Sequence, residues 1–300
     1  MQTKQVTIIY NRAAGSAQEG ELRERIAAIL QAQGLPVEVH VVQPGTDIRD
    51  LAKSAVQKGC SILVAAGGDG TVNAVASAVV DSECALGVLP VGTLNHFAKA
   101  LQIPMDIEQA ALTLATGKLR KVDVGEVNGR IFVNNSSIGL YPSMVKGREQ
   151  EQRLGRSKWV ALFWATLAVL RRYPMLAVGL SDNEGRKLLR RTPMVFVGNN
   201  QYEMQGFNIG ERATLDSGRL AVYVSHQDRA GSLIRMAIDA FLGNARRGVD
   251  FDYLSTDNLH IEIRRRTIQV ATDGEVTTLA PPLVYRSRHS ALRVVVPAGE

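Results

Sequence analysis

A chain of 300 residues, 45% hydrophobic and 21% charged, suits one large globular domain or two ordinary ones built around a real core. The formal net charge of +6 favours anionic partners: nucleotide phosphates, nucleic acid or an acidic membrane surface. Aromatic residues make up only 5%, and no basic stretch is interleaved with them, which argues against a nucleic-acid stacking surface. Cys60 and Cys84 lie in apolar strand-like surroundings and read as buried thiols rather than a disulfide or a metal pair. Met1 to Lys4 leads straight into a strand, so the expectation is a cytoplasmic chain without a signal peptide. The longest apolar run, Trp159 to Leu170, is too short to span a bilayer.

In chain order, Val6 to Tyr10 reads as a strand and Glu21 to Gln31 as a helix, with Leu22, Ile26, Ile29 and Leu30 at helical spacing. Val37 to Val42 is a strand, Ile48 to Val56 a helix and Ser61 to Ala66 a continuous apolar strand. Thr71 to Val80 is a helix, Leu86 to Pro90 a strand and Leu94 to Leu101 a helix. Short apolar strands alternating with helices predict a parallel sheet covered on both faces. Right-handed crossovers then bring the strand-to-helix turns to one edge, where open α/β sheets bind ligands.

After about Val122 the pattern turns mainly β, as a sandwich or a partly closed barrel. Val122 to Val127, Arg130 to Asn134, Met194 to Gly198, Leu220 to Val224, Leu259 to Ile263, Ile268 to Ala271 and Leu292 to Val296 read as strands. Turn clusters such as Asn128-Gly129, Asp182-Asn183-Glu184-Gly185 and Asp216-Ser217-Gly218 separate them. Helical insertions are expected near Trp159 to Arg172 and Ala230 to Asn244. The expected domains are 1–123, α/β, and 124–300, mainly a β sandwich.

Three turns of the first half share one character. Tyr10-Asn11-Arg12-Ala13-Ala14-Gly15 follows the first strand, Gly67-Gly68-Asp69-Gly70-Thr71 the third and Pro90-Val91-Gly92-Thr93-Leu94-Asn95 the fourth. Glycines in such a turn let backbone N–H groups approach a phosphate, with the next helix N-terminus aimed at it. Asp69 suits that place if a metal, or a hydroxyl donating to it, stands between acid and phosphate. This points to a nucleotide site that works with Mg2+. Neither Gly-x-x-x-x-Gly-Lys-Ser/Thr nor Gly-x-Gly-x-x-Gly occurs, which argues against a P-loop NTPase and a dinucleotide dehydrogenase.

Gly67-Gly68-Asp69-Gly70-Thr71 together with Pro90-Val91-Gly92-Thr93-Leu94-Asn95 resembles the diacylglycerol kinase catalytic domain family. That family includes bacterial lipid kinases and sphingosine kinases and is distantly related to NAD kinases and 6-phosphofructokinases. The resemblance continues in order through Lys121-Val122-Asp123-Val124-Gly125, Asn134 with Gly139, Gly198-Asn199-Asn200, Asp216-Ser217-Gly218 and Asp273-Gly274-Glu275. It implies an ATP-dependent lipid kinase that phosphorylates a hydroxyl of diacylglycerol or a related lipid at an interdomain cleft. By motif, Asn11, Gly67, Gly68, Gly70, Thr71, Gly92, Thr93 and Asn95 would hold ATP, and Asp69 would organise Mg2+ and the phosphates. Asp273 would be the general base for the lipid hydroxyl, with Glu275 alongside it. Asp216 would take part in a structural Mg2+ site.

On residue type alone, Asp273-Gly274-Glu275 also fits an exposed hairpin turn, and Asp216-Ser217-Gly218 a plain turn. The chain departs from the family pattern at Arg12, where proline is common, at His96, where an acid is common, and at Ser217, where an acid often precedes the glycine. Trp159 to Leu170, with Lys158, Arg171 and Arg172 at its ends, reads either as a buried helix or as a lipid-entry helix at a membrane surface. The combined expectation is a cytoplasmic enzyme in transient, peripheral contact with a membrane, acting on a lipid substrate and not on nucleic acid, with a homodimer possible. An NAD kinase-like enzyme shares Gly-Gly-Asp-Gly-Thr and is the enzymatic alternative. A non-catalytic lipid-binding regulator is the other.

Overall fold

The computed structural model describes residues 5–11, 17–139, 175–205, 208–212, 214–225 and 251–298. The chain divides into two compact units, one of Met1–Val124 with Arg288–Glu300 and one of Gly125–Ser287.

The first unit alternates strand and helix. Its elements are β1 (Val6–Tyr10), α1 (Ala17–Ala32), β2 (Val37–Val41), α2 (Ile48–Gln57), β3 (Ile62–Gly67), α3 (Asp69–Val79), β4 (Ala85–Pro90), α4 (His96–Ala100) and α5 (Ile107–Thr116). The strands lie in the order β2-β1-β3-β4 and all run parallel, with Val6 opposite Val37 and Ile62, and Ile62 opposite Ala85. Every residue of β1, β3 and β4 is buried, as a sheet covered on both faces demands. Because the strands share one direction, the turns after β1, β3 and β4 emerge at one edge. The Asn11 N–H bonds the Ala66 carbonyl at 2.8 Å, tying the first of these turns to the strand that carries the second.

Helix α3 begins at Asp69, two residues before the expected start. A carboxylate in the first turn of a helix is favoured by the helix dipole. Helix α4 is shorter than expected because Asn95 adopts φ 52°, a left-handed conformation that cannot continue a helix. Helix α5 falls where no element was expected. Asp106 caps it by accepting the Gln109 N–H at 3.0 Å. An Asp followed three residues later by Gln is a start signal the sequence does carry. Cys60 and Cys84 are buried free thiols with their sulfurs 3.0 Å apart, at the starts of β3 and β4.

The second unit is mainly β. It contains the end of β5 (Lys118–Val127), then β6 (Arg130–Phe132), β7 (Asn135–Gly139), β8 (Leu176–Asp182), β9 (Lys187–Thr192), β10 (Met194–Asn199), β11 (Tyr202–Gln205), β12 (Asn208–Arg212), β13 (Leu220–Ser225), β14 (Phe251–Thr256), β15 (Asn258–Ile263), β16 (Ile268–Thr272) and β17 (Glu275–Leu279). β18 (Leu283–Val296) begins here and ends in the first unit, where Val294 pairs parallel with Leu86 of β4.

Among the described residues one sheet of this unit has six strands in the order β14-β13-β10-β7-β16-β17. In a second layer β15 pairs antiparallel with β18 and β8, and β8 with β9. Alternate residues of both layers, among them Ile138, Val195, Val197, Val222, Val270, Leu180, Ile261 and Tyr285, form one buried cluster. That arrangement is a β sandwich. Strands β7, β8, β9, β11, β12, β14 and β17 were not expected individually. The two helical segments expected near 159–172 and 230–244 lie outside the described residues. Among the described residues no helix is long and apolar enough to cross a membrane.

Candidate functional site

The three turns of the first unit meet through named contacts. Asn11 Nδ2 donates to Thr71 Oγ1 at 2.8 Å, joining the β1 turn to the first turn of α3. A Cβ on Gly92 would lie 2.4 Å from Gly68 Cα, so the turns after β3 and β4 touch backbone to backbone. A Cβ on Gly67 would lie 2.4 Å from Thr71 Oγ1. Glycine at 67 and 92 is thus demanded by close approach rather than by an unusual φ. Around Gly70 an added Cβ would meet no atom of the described residues within 4 Å.

Asp69 links two helix starts. It is the first residue of α3, and its Oδ1 accepts the Phe97 N–H of α4 at 3.3 Å. Oδ2 makes no hydrogen bond among the described residues. The N-cap of α3, Gly68, carries no side-chain cap, which leaves the first amides of that helix to another acceptor. Asn95 spends its amide on its own turn, with Nδ2 donating to Gly92 O at 2.8 Å and Pro90 O at 3.2 Å. Thr93 is exposed at the tip of that turn. Asn73, further along α3, is buried, and its Oδ1 has no hydrogen bond among the described residues. The residues 12–16 of the first turn, Arg12 included, lie outside the described residues.

Asp273 occupies the other candidate cluster, within the second unit. Asp273 and Gly274 form the two-residue loop of the β16–β17 hairpin, closed by the Thr272–Glu275 pair. Their φ values of 48° and 87° are both positive, as a type I′ turn requires. The turn reading and the functional reading of Asp-Gly are therefore compatible: the loop is a hairpin turn whose acid folds inward. Oδ1 accepts the N–H groups of Asn134 at 2.8 Å and Asn135 at 2.9 Å, and Oδ2 that of Val133 at 2.7 Å. A carboxylate has about four acceptor positions, so Oδ2 keeps one for a further donor. Burial pushes the Asp273 carboxyl up to about 6, against the pull of those three amides and of the Arg212 guanidinium.

The peptide segment that grips Asp273 is itself gripped. Arg212 Nη1 donates to Val133 O at 2.7 Å and Nη2 to Asn134 Oδ1 at 3.0 Å. Asn199 Nδ2 donates to Val133 O at 3.0 Å, and the Tyr202 hydroxyl to Asn134 O at 2.7 Å. The sequence had marked Asn134 and Asn199, but not Arg212 or Tyr202, whose link to Asp273 runs only through the fold.

Glu275 opens β17 and is exposed. Asp216 is exposed on the turn before β13. There Ser217 donates through its N–H and its hydroxyl to Asn200 Oδ1 at 2.9 and 2.5 Å. Among the described residues no three His, Cys, Asp or Glu side chains gather as a metal cluster.

Residues 5–127 match the diacylglycerol kinase catalytic domain, and residues 140–296 match the YegS C-terminal NAD kinase beta sandwich-like domain. A diacylglycerol kinase of Bacillus subtilis (strain 168) is 28% identical over 98% of this chain and 97% of its own length. A protein of Pseudomonas aeruginosa named "Probable lipid kinase YegS-like" is 29% identical over 99% of this chain and 95% of its own. The crystal structure of a diacylglycerol kinase from Bacillus anthracis str. Sterne superposes with a TM-score of 0.71 at 19% identity, over 99% of this chain and 98% of that one. At that identity the superposition speaks for the fold.

Proposed function

The chain belongs to the family that joins a diacylglycerol kinase catalytic domain to a YegS-type β-sandwich domain, and on that premise we propose that it transfers the γ-phosphate of ATP to a hydroxyl of diacylglycerol or a related lipid. Its activity class is that of a lipid kinase. The observation that carries the finer reading is the Asp273 carboxylate. It is fixed by three main-chain amides, raised to about 6 and left with one acceptor position on Oδ2.

Phosphoryl transfer is chiefly a matter of positioning and charge neutralisation. In this proposal residues 1–123 are the nucleotide domain and 124–300 the lipid domain. The uncapped start of α3, with Gly68, Gly70 and Thr71, offers amides to the phosphates. Asn11, Gly67, Gly92, Thr93 and Asn95 shape the rest of that edge. Asp273 accepts the proton of the lipid hydroxyl as its oxygen bonds the γ-phosphorus and the bond to the departing ADP oxygen breaks. Glu275, two residues on, would assist at the same hydroxyl.

Mg2+ is commonly held by one or two carboxylates completed by substrate phosphates and water. Asp69 Oδ2, which makes no hydrogen bond among the described residues, fits that donor set. Asp69 would hold the ion, which supplies charge neutralisation at the phosphates when bound. Asp216, exposed on the turn before β13, would hold a second, structural ion. The net charge of +6 supports transient docking of a cytoplasmic protein on an anionic membrane.

The test incubates the full chain with Mg2+, γ-labelled ATP and a total lipid extract, with NAD in a parallel tube. A labelled lipid is the expected result. Label in NAD would move the assignment to an NAD kinase-like activity, and vesicle binding without ATP consumption would make the protein a non-catalytic lipid binder.

A further inference from the structure

Arg212 reaches Asp273 through the peptide groups between them. The Val133 carbonyl and the Asn134 N–H are two ends of one peptide unit. Arg212 Nη1 at 2.7 Å and Asn199 Nδ2 at 3.0 Å both bond the carbonyl end, and Asp273 Oδ1 bonds the N–H end at 2.8 Å. The next peptide repeats the pattern. The Tyr202 hydroxyl at 2.7 Å and the Asn199 N–H at 2.9 Å bond the Asn134 carbonyl, while the Asn135 N–H bonds Oδ1 at 2.9 Å. Donation to a carbonyl polarises its own amide and strengthens the bond that amide gives. Both donors to Oδ1 are strengthened in this way, whereas Oδ2 receives the single Val133 N–H. Negative charge is thereby drawn to Oδ1, and Oδ2 is left as the proton-accepting oxygen.

We propose that Arg212 is a positioning residue for Asp273, holding and polarising the Val133–Asn135 segment that orients the carboxylate; this rests on the reading of Asp273 as the base. Among the described residues, Arg212 is a charged side chain whose field reaches that carboxylate, alongside the three neutral amides of residues 133–135 that bond it. The Arg212 guanidinium stands 5.8 Å from the centre of the Tyr202 ring, which keeps the two donors in register.

The direct readout is a 13C NMR titration of the full chain labelled at aspartate carboxyls, with the Asp273 signal identified by its loss in Asp273→Asn. Arg212→Gln should raise the Asp273 midpoint by about one pH unit, and Tyr202→Phe by a few tenths. Arg212→Lys should keep part of the charge effect and lose the paired bonds. The acid limb of lipid phosphorylation should move with the NMR midpoint, kcat should fall about tenfold near that limb, and KM for ATP should stay within twofold. Should Arg212→Gln fail to fold, Arg212→Lys and Tyr202→Phe carry the comparison. Unchanged Asp273 midpoints in the folded variants would overturn the role of Arg212. Full lipid phosphorylation by Asp273→Asn would instead overturn the role of Asp273 as base, whatever the titrations show.

Discussion

The Asp273 carboxylate accepts the Val133 main-chain N–H at 2.7 Å, across 140 residues of sequence. With the Asn134 and Asn135 amides, this bond ties the β16–β17 turn to the segment between β6 and β7. Asp273→Asn keeps the shape and one carbonyl acceptor but removes the proposed base. It should lower kcat by about 10²–10⁴-fold while the protein stays folded. Asp273→Ala leaves three amides without their acceptor, and should cost roughly 3 kcal/mol or more in urea denaturation.

A carboxyl raised to about 6 sets two opposed pH trends. As a base it must be ionised, so kcat should climb with pH through a limb near 6 and level off above it. For stability the sign is reversed. The folded state binds its proton more tightly than the unfolded chain, so this group's contribution is complete below the ordinary Asp value of 3.8 and is lost as pH rises through about 6. Asp273→Asn should abolish that component, about 3 kcal/mol in the full span, which denaturation series at pH 4 and pH 7 compare directly.

Gly92 and Gly70 separate packing from ligand approach. Gly92→Ala pushes a methyl against Gly68 Cα, and should cost about 1–3 kcal/mol in stability and raise KM for ATP. Gly70→Ala meets no atom of the described residues within 4 Å, so its melting temperature should hold or rise. A raised KM for ATP in Gly70→Ala alone would show that the phosphates occupy the space beside it. An unchanged KM would remove Gly70 from the nucleotide site.

Asn11 and Thr71 should couple. Their 2.8 Å bond joins two turns that share no other side-chain hydrogen bond among the described residues. A double-mutant cycle of Asn11→Ala and Thr71→Val should give about 1 kcal/mol of interaction energy in denaturation. If the pair also shapes the phosphate site, either single change should weaken ATP binding as measured by calorimetry.

Much of the first unit is legible locally. Ile62 to Gly67 is an unbroken apolar run, and Gly68-Asp69-Gly70 marks the helix start at its end. The β sandwich is less so. Lys187–Thr192 is an edge strand in which Leu189 is exposed together with Lys187, Arg190 and Arg191, so it lacks the alternation that marks a half-buried strand. Asn135–Gly139 is a central strand made largely of Asn, Ser and Gly, with Ser136 bonded to Tyr285 at 3.1 Å rather than packed as an apolar residue. The site divides the same way. Asp273-Gly274 announces a turn, but the inward orientation of its acid is created by amides 138 to 140 residues earlier. Arg212 carries no local signal at all. Its partners include the main-chain carbonyls of Val133 and Asn199, which any residue could offer, and the Asn134 side chain, 78 residues away.

The most direct measurement is a single-turnover transfer of label from γ-labelled ATP to diacylglycerol in mixed micelles with Mg2+, for wild type and Asp273→Asn, with ATP binding measured in parallel. Wild type should label the lipid, while Asp273→Asn should bind ATP with unchanged affinity and transfer label at least 10²-fold more slowly. Equal transfer by the two proteins would contradict the assignment of Asp273 as the residue that takes the proton of the lipid hydroxyl.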